Sequence, residues 1–215
     1  MQPAVPLPEL AGVSWRSLES GESLARRGRI WTAWTLLQAI PFVGVAALLM
    51  VLEPLSAPVA FLSLVHAWVI PELYAFRGSN VVRPKPTRAA GPEEVAQGLL
   101  GDLLDHEPRE LQRQTGLALE PGAFGIWLVG EGGAVLVAPG GRRVHCFCVG
   151  VSDGDLPPSD RIAHLLLALR QDEIGFATVA NSSFSGAAWR LRRRMAPESR
   201  PALTAAVAAA RRLRD

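Results

Sequence analysis

The chain is poor in the residues from which most catalytic and metal chemistry is built. Its 215 residues include two cysteines, four histidines and one tyrosine, and Lys85 is the single lysine among 22 basic residues. Two cysteines are too few for a disulfide scaffold. A net charge of +2 is too small for a dedicated nucleic-acid binder, so nucleic acid is disfavoured as a partner. The sequence has no Gly-x-Ser-x-Gly elbow and no long low-complexity tract or internal repeat. The preference for arginine over lysine hints at a GC-rich bacterial genome.

The most telling shortage is of charge. From Ile30 to Pro71 the only formal charge is Glu53, next to Pro54. Ile30 to Leu52 reaches roughly 34 Å as a helix, enough for a hydrocarbon core of about 30 Å. Leu55 to Pro71 reaches roughly 25 Å. It becomes adequate if Glu72 snorkels and the helix continues through Phe76. The pattern predicts a two-helix transmembrane hairpin, with a re-entrant hairpin as the alternative. A soluble buried hairpin fits less well, because a soluble helix shows a polar face and neither segment does.

Arg16, Arg26, Arg27 and Arg29 precede the first helix, and Arg77, Arg83, Lys85 and Arg88 follow the second. The turn between them has no basic residue, so both termini are expected in the cytoplasm. Trp31, Trp34, Trp68 and Tyr74 fall at that same interface, where amphipathic rings are favoured. The expected location is a plasma membrane, multi-pass, with the bilayer as the first partner. Cys146 and Cys148 then lie in a reducing compartment.

Within the hairpin, Gln38 and His66 fall at similar depth, and Pro41 frees the carbonyl of Leu37. One of the two polar side chains is expected to satisfy that carbonyl or to bond its counterpart across the hairpin. Two helices cannot enclose a pore, so this polar contact reads as packing glue.

Four segments are expected: 1–29, an N-terminal cytoplasmic segment; 30–76, the hairpin; 77–91, a basic proline-rich linker; and 92–215, a cytoplasmic α+β domain. Prolines at positions 3, 6 and 8 argue for a disordered extreme N-terminus, with a weak surface helix over Ser14–Arg27. The domain reads α-α-β-β-β-α-β-α-α, with one mixed sheet that contains an antiparallel meander. Its helices are expected from Pro92 to about His106, Arg109–Thr115 with Gly116 as cap, Asp160–Gln171 with Ser159 as cap, Ser185–Met195 and Pro201–Leu213. Its strands are expected at Phe124–Val129, Ala134–Ala138, Arg143–Val149 and Gly175–Ala180.

Candidate chemistry in this domain is sparse. Cys146 and Cys148 share one strand face, but no further ligands converge on them, so packing is favoured over a metal site. No cofactor is expected. His164 falls opposite the apolar face of its helix, and nothing in the spacing pairs it with a cysteine nucleophile. The glycines at 130–133 and 140–141 join strand to strand and read as hairpin turns rather than phosphate loops. The central strands carry no acid, which argues against a metal-dependent nuclease.

Two features remain. Asn181–Gly186 is expected to link a strand to a helix, where Ser183 and Ser185 either cap that helix or, with Arg190, meet an anion. Trp189, Arg190, Arg192, Arg193 and Arg194 form a basic stretch whose Trp sits on the solvent face, which suits anionic lipid headgroups. The chain is therefore expected to be a non-enzymatic membrane-anchored binding, adaptor or regulatory module that meets another membrane protein. The alternative is a membrane-tethered enzyme acting on an anionic substrate at the Asn181–Arg194 junction.

Overall fold

The computed structural model describes residues 17–84, 90–150 and 156–213. The expectations for the extreme N-terminus, and for Lys85 and Arg88 in the linker, fall outside them. The first helix, α1 (Gly21–Leu52), is capped reciprocally by Ser20 and Ser23, each side chain bonding the other's backbone N–H. Among the described residues no separate surface helix precedes the apolar run, because the Ser20 cap starts one continuous helix of 32 residues. A 3₁₀ turn at Pro54–Ser56 leads to α2 (Ala57–Asn80).

The two helices are long and apolar enough to cross a membrane. Only 6% and 17% of their most apolar windows is buried, so those stretches lie outside the core of the domain. Leu36, Ile40, Val51, Leu55 and Phe61 all point outward. Where the helices touch, small residues let them approach: Ala46 and Ala60 are buried. Ser63 Oγ donates across the hairpin to the carbonyl of Phe42 at 2.8 Å.

The domain is a five-stranded sheet with helices on both faces. α3 (Ala90–Asp102) and α4 (His106–Thr115) lead into it, and Gly116 ends α4 in the left-handed region at φ 73°. The strands are β1 (Ala118–Gly122), β2 (Gly125–Gly130), β3 (Gly133–Val137), β4 (Arg143–Cys148) and β5 (Asn181–Ala187). They lie in sequence order and every pairing is antiparallel, so the sheet is not mixed as expected.

β2 and β3 are buried throughout, which is why they read as unbroken apolar runs rather than alternating ones. One face packs Leu128, Val135 and Cys146 against α2, α7 (Ala188–Arg194) and α8 (Arg200–Arg212). The other packs Trp127, Leu136 and Phe147 against α5 (Pro158–Gln171), α6 (Glu173–Val179) and α3.

Two local expectations are overturned. Gly175–Ala180 is not a strand: it lies in α6 and its cap, because the Asp172 carboxylate accepts from Gly175 N–H at 2.8 Å and starts a helix. The strand falls instead on Asn181–Ala187, polar residues held extended by pairing with β4. β1 was not expected at all. It carries Pro121, tolerated because β1 is an edge strand. Its turn is held by Glu173, whose carboxylate accepts from Ala123 N at 2.6 Å, Phe124 N at 3.0 Å and Trp127 Nε1 at 2.7 Å.

The hairpin does not end before the domain begins. α2 runs to Asn80, and Val81 and Val82, read as linker from the sequence, are buried in the core. Leu24 of α1 joins the opposite core face. Glu72 does not snorkel. It is 5% exposed and paired with Arg194 at 2.6 Å.

Candidate functional site

The hairpin meets the domain along β5, the edge strand that α1 and α2 both contact. Gly78 of α2 sits where a Cβ would lie 2.6 Å from Cβ of Phe184, so only glycine admits this close approach. Gly28 of α1 packs against the flexible end of the Arg143 side chain. Trp31 meets Tyr74 edge-on at 5.4 Å and Phe184 at 6.2 Å, an aromatic cluster that joins α1, α2 and β5. Trp31 and Tyr74 thus belong to the hairpin–domain joint.

The serines of the predicted junction lie in the strand rather than before a helix. Ser183 Oγ donates to the carbonyl of Cys146 at 3.2 Å. Ser185 is buried, its Oγ in a 2.9 Å hydrogen bond with Nδ1 of His145 on the neighbouring strand. Neither caps α7, whose N-cap is Ala187 with no side-chain bond. The first amide of α7, Ala188 N–H, already donates to the carbonyl of Arg142 at 3.0 Å.

Ser185 and His145 have the spacing of a nucleophile and its base, but not the electrostatics. Burial, and then the charges of Arg143 and Arg27, lower the His145 pKa to about 4. A general base must become imidazolium as the nucleophile attacks. Every one of these influences opposes that charge, so the pair is built as a cross-strand tie.

Of the basic stretch, Arg192 and Arg193 are exposed, Arg194 is taken by Glu72, and the Arg190 guanidinium lies 5.2 Å from the exposed Trp189 ring. Trp189, Arg190 and Ser185 line a groove of about 460 Å³ between the hairpin and the end of the β4–β5 ladder. Arg142 and Arg143 line it too. From the sequence Arg143 reads only as the first residue of a strand, and Arg142 carries no reading beside Gly140 and Gly141. The available signal was two adjacent arginines at the start of a strand.

No family model, no curated protein and no solved structure matches the chain.

Gln38 and His66 are placed differently from one another. Tyr74 Oη donates to Gln38 Oε1 at 3.0 Å, across the hairpin. His66 Nδ1 lies 2.8 Å from the carbonyl of Leu62 in its own helix, and the ring stacks on Phe42 at 5.7 Å.

Cys146 is buried in the core, and burial drives its pKa far up, so its thiol is inert as a nucleophile. Cys148, at the strand end, is exposed. Among the described residues no group of three or more His, Cys, Asp or Glu side chains is placed to hold a metal ion.

Proposed function

We infer that the protein is a membrane-anchored binding module. In this reading the hairpin crosses a bacterial plasma membrane with both ends in the cytoplasm. It holds the α+β domain in one fixed pose against the inner face, where the domain engages another membrane protein as an adaptor or accessory subunit.

The observation that supports this most directly is the shared core at the hairpin–domain joint. Val81, Val82 and Ala75 of the α2 end pack with the sheet, and Glu72 is tied to α7. A tether that only had to raise local concentration would not need its helix ends built into the folded domain. Fixed orientation matters for docking on a neighbour in the same bilayer.

Membrane-tethered catalysis on an anionic substrate at Asn181–Arg194 fits less well. Ser185 is engaged by a histidine held neutral, and Arg194 is committed to Glu72.

The test is purification of the full chain in mild detergent after cross-linking in membranes. The module reading expects one membrane protein to be retained in fixed proportion and to be lost when the domain is replaced by an unrelated soluble one. Turnover of an anionic substrate, abolished by Arg190→Ala with folding intact and with no partner retained, would overturn it.

A further inference from the structure

The groove between hairpin and domain has two walls of opposite character. α1 and α2 supply Leu36, Ala39 and Trp68, and the domain supplies Arg142, Arg143 and Arg190. No carboxylate lines it. Among the described residues, none of these three arginines has a carboxylate partner, whereas Arg27, Arg161, Arg170 and Arg194 each do. Arg143 makes only a 3.4 Å contact with Thr32 Oγ1, and Arg142 is exposed. Among the described residues, three cations therefore share one concavity without a counter-charge. The charge of Arg143 is felt at the buried imidazole of His145 next door, where it disfavours the protonated form.

The apolar wall decides which anion fits. At helical spacing, the outward-facing Ile40 and Val43 of α1 share the face of Leu36. A free phosphate would use the arginines and leave that wall unused. A ligand with a phosphate at one end and hydrocarbon at the other covers both. Guanidinium groups grip phosphate oxygens in pairs. Trp68 and Trp189, both more than half exposed, present the amphipathic rings favoured at headgroup level.

We propose that this groove binds an anionic phospholipid, its phosphate held by Arg142, Arg143 and Arg190 and its acyl chains lying along Leu36, Ala39 and Trp68. The assignment rests on the hairpin spanning the bilayer, which sets the arginines at headgroup depth. It also gives the unpaired arginines a role that the ion-paired Arg194 does not share. A bound lipid would fasten the domain to the bilayer surface beside the covalent anchor.

The experiment reconstitutes the full chain into nanodiscs of phosphatidylcholine containing a minor share of phosphatidylglycerol, then releases it for native mass spectrometry of retained lipid. The wild type is expected to retain phosphatidylglycerol with an enrichment on the order of tenfold over its share of the disc, since each basic side chain at an anionic surface contributes measurably. Arg142→Gln with Arg190→Gln, which leaves the packed Arg143 in place, is expected to remove most of that enrichment. Arg192→Gln with Arg193→Gln, outside the groove, is expected to keep it.

Thermal unfolding of each variant confirms that the fold is retained. If Arg142→Gln with Arg190→Gln does not fold, Arg142→Gln alone supplies the groove variant, and its enrichment must fall. Equal loss from both pairs, no enrichment in the wild type, or displacement of the lipid by millimolar inorganic phosphate would each overturn the proposal. Failure of the spanning model is distinct, because it is read by outside labelling of a cysteine at position 56 and not by lipid retention.

Discussion

Glu72 and Arg194 lie 122 residues apart in sequence and form an ion pair of 2.6 Å at the joint between a hydrophobic helix and a folded domain. Arg194 Nε also donates to the same Glu72 oxygen at 2.8 Å. The glutamate is nearly enclosed, while the arginine keeps about a third of its side-chain surface in solvent. An enclosed carboxylate needs a partner, since its desolvation is otherwise uncompensated. The pair therefore fixes where α7 sits on α2.

Breaking it should be costly in one specific way. Arg194→Gln leaves Glu72 enclosed without a cation and is expected to destabilise the joint by about 2–3 kcal/mol, below the range for a fully buried pair because the arginine is partly hydrated. Glu72→Leu combined with Arg194→Met is expected to recover most of the loss, because no charge then remains to be desolvated. Thermal unfolding in detergent gives the order wild type ≈ double variant > Arg194→Gln. Additive losses in the double variant would contradict it.

Two glycine substitutions of the same chemical type should have opposite signs. At Gly98, in the exposed middle of α3, a new Cβ meets nothing within 4 Å, so Gly98→Ala should stabilise by about 0.5–1 kcal/mol through helix propensity. At Gly78 the new Cβ would collide with the Phe184 ring, so Gly78→Ala should destabilise and loosen α2 from β5. Limited proteolysis near residues 78–84 reads that loosening. Equal behaviour of the two variants would show that the joint is not tightly packed.

His145 gives the domain a pH signature. Its imidazole takes a proton near the ordinary 6.5 in the unfolded chain, but only near pH 4 when folded. Between those values the unfolded chain binds more protons, so stability is full above about pH 6.5 and is lost as pH falls toward 4. The swing from pH 7.5 to 5 is about 2 kcal/mol. Replacing the histidine by His145→Gln removes this contribution, so the variant's melting temperature should fall less than the wild type's over that range. Parallel pH profiles would show that the folded imidazole titrates normally.

The sequence announced some of this and concealed the rest for physical reasons. The hairpin was legible because a charge-free run of that length has few alternatives, and β2 to β4 because β-rich runs stood between glycine turns. α6 and β5 were exchanged with their surroundings. Val179 and Thr178 look like strand residues, yet Asp172 caps a helix there, while Asn181–Ala187 has little strand propensity and is extended only because β4 and the hairpin ends enclose it. Ser183 and Ser185 were visible as polar residues but not as strand residues, so their capping role was misread.

The groove was half legible. Trp189 and Arg190 stood out in the basic run, whereas Arg142 and Arg143 hid beside a glycine turn. Their convergence with Leu36 and Trp68 depends on how the hairpin packs on β5, which no local pattern encodes. The same tertiary packing turned Glu72 from a surface-seeking side chain into a buried partner of Arg194.

The placement of the domain and its groove depends on the hairpin crossing the bilayer with its turn outside. Ser56→Cys, in a chain whose Cys146 and Cys148 are replaced by serine or alanine, places one thiol at that turn. In intact cells it should react with a membrane-impermeant maleimide added outside, and a cysteine at Ser17 should not until the cells are permeabilised. Labelling at position 56 only after permeabilisation would contradict the crossing and the placement of the domain that depends on it.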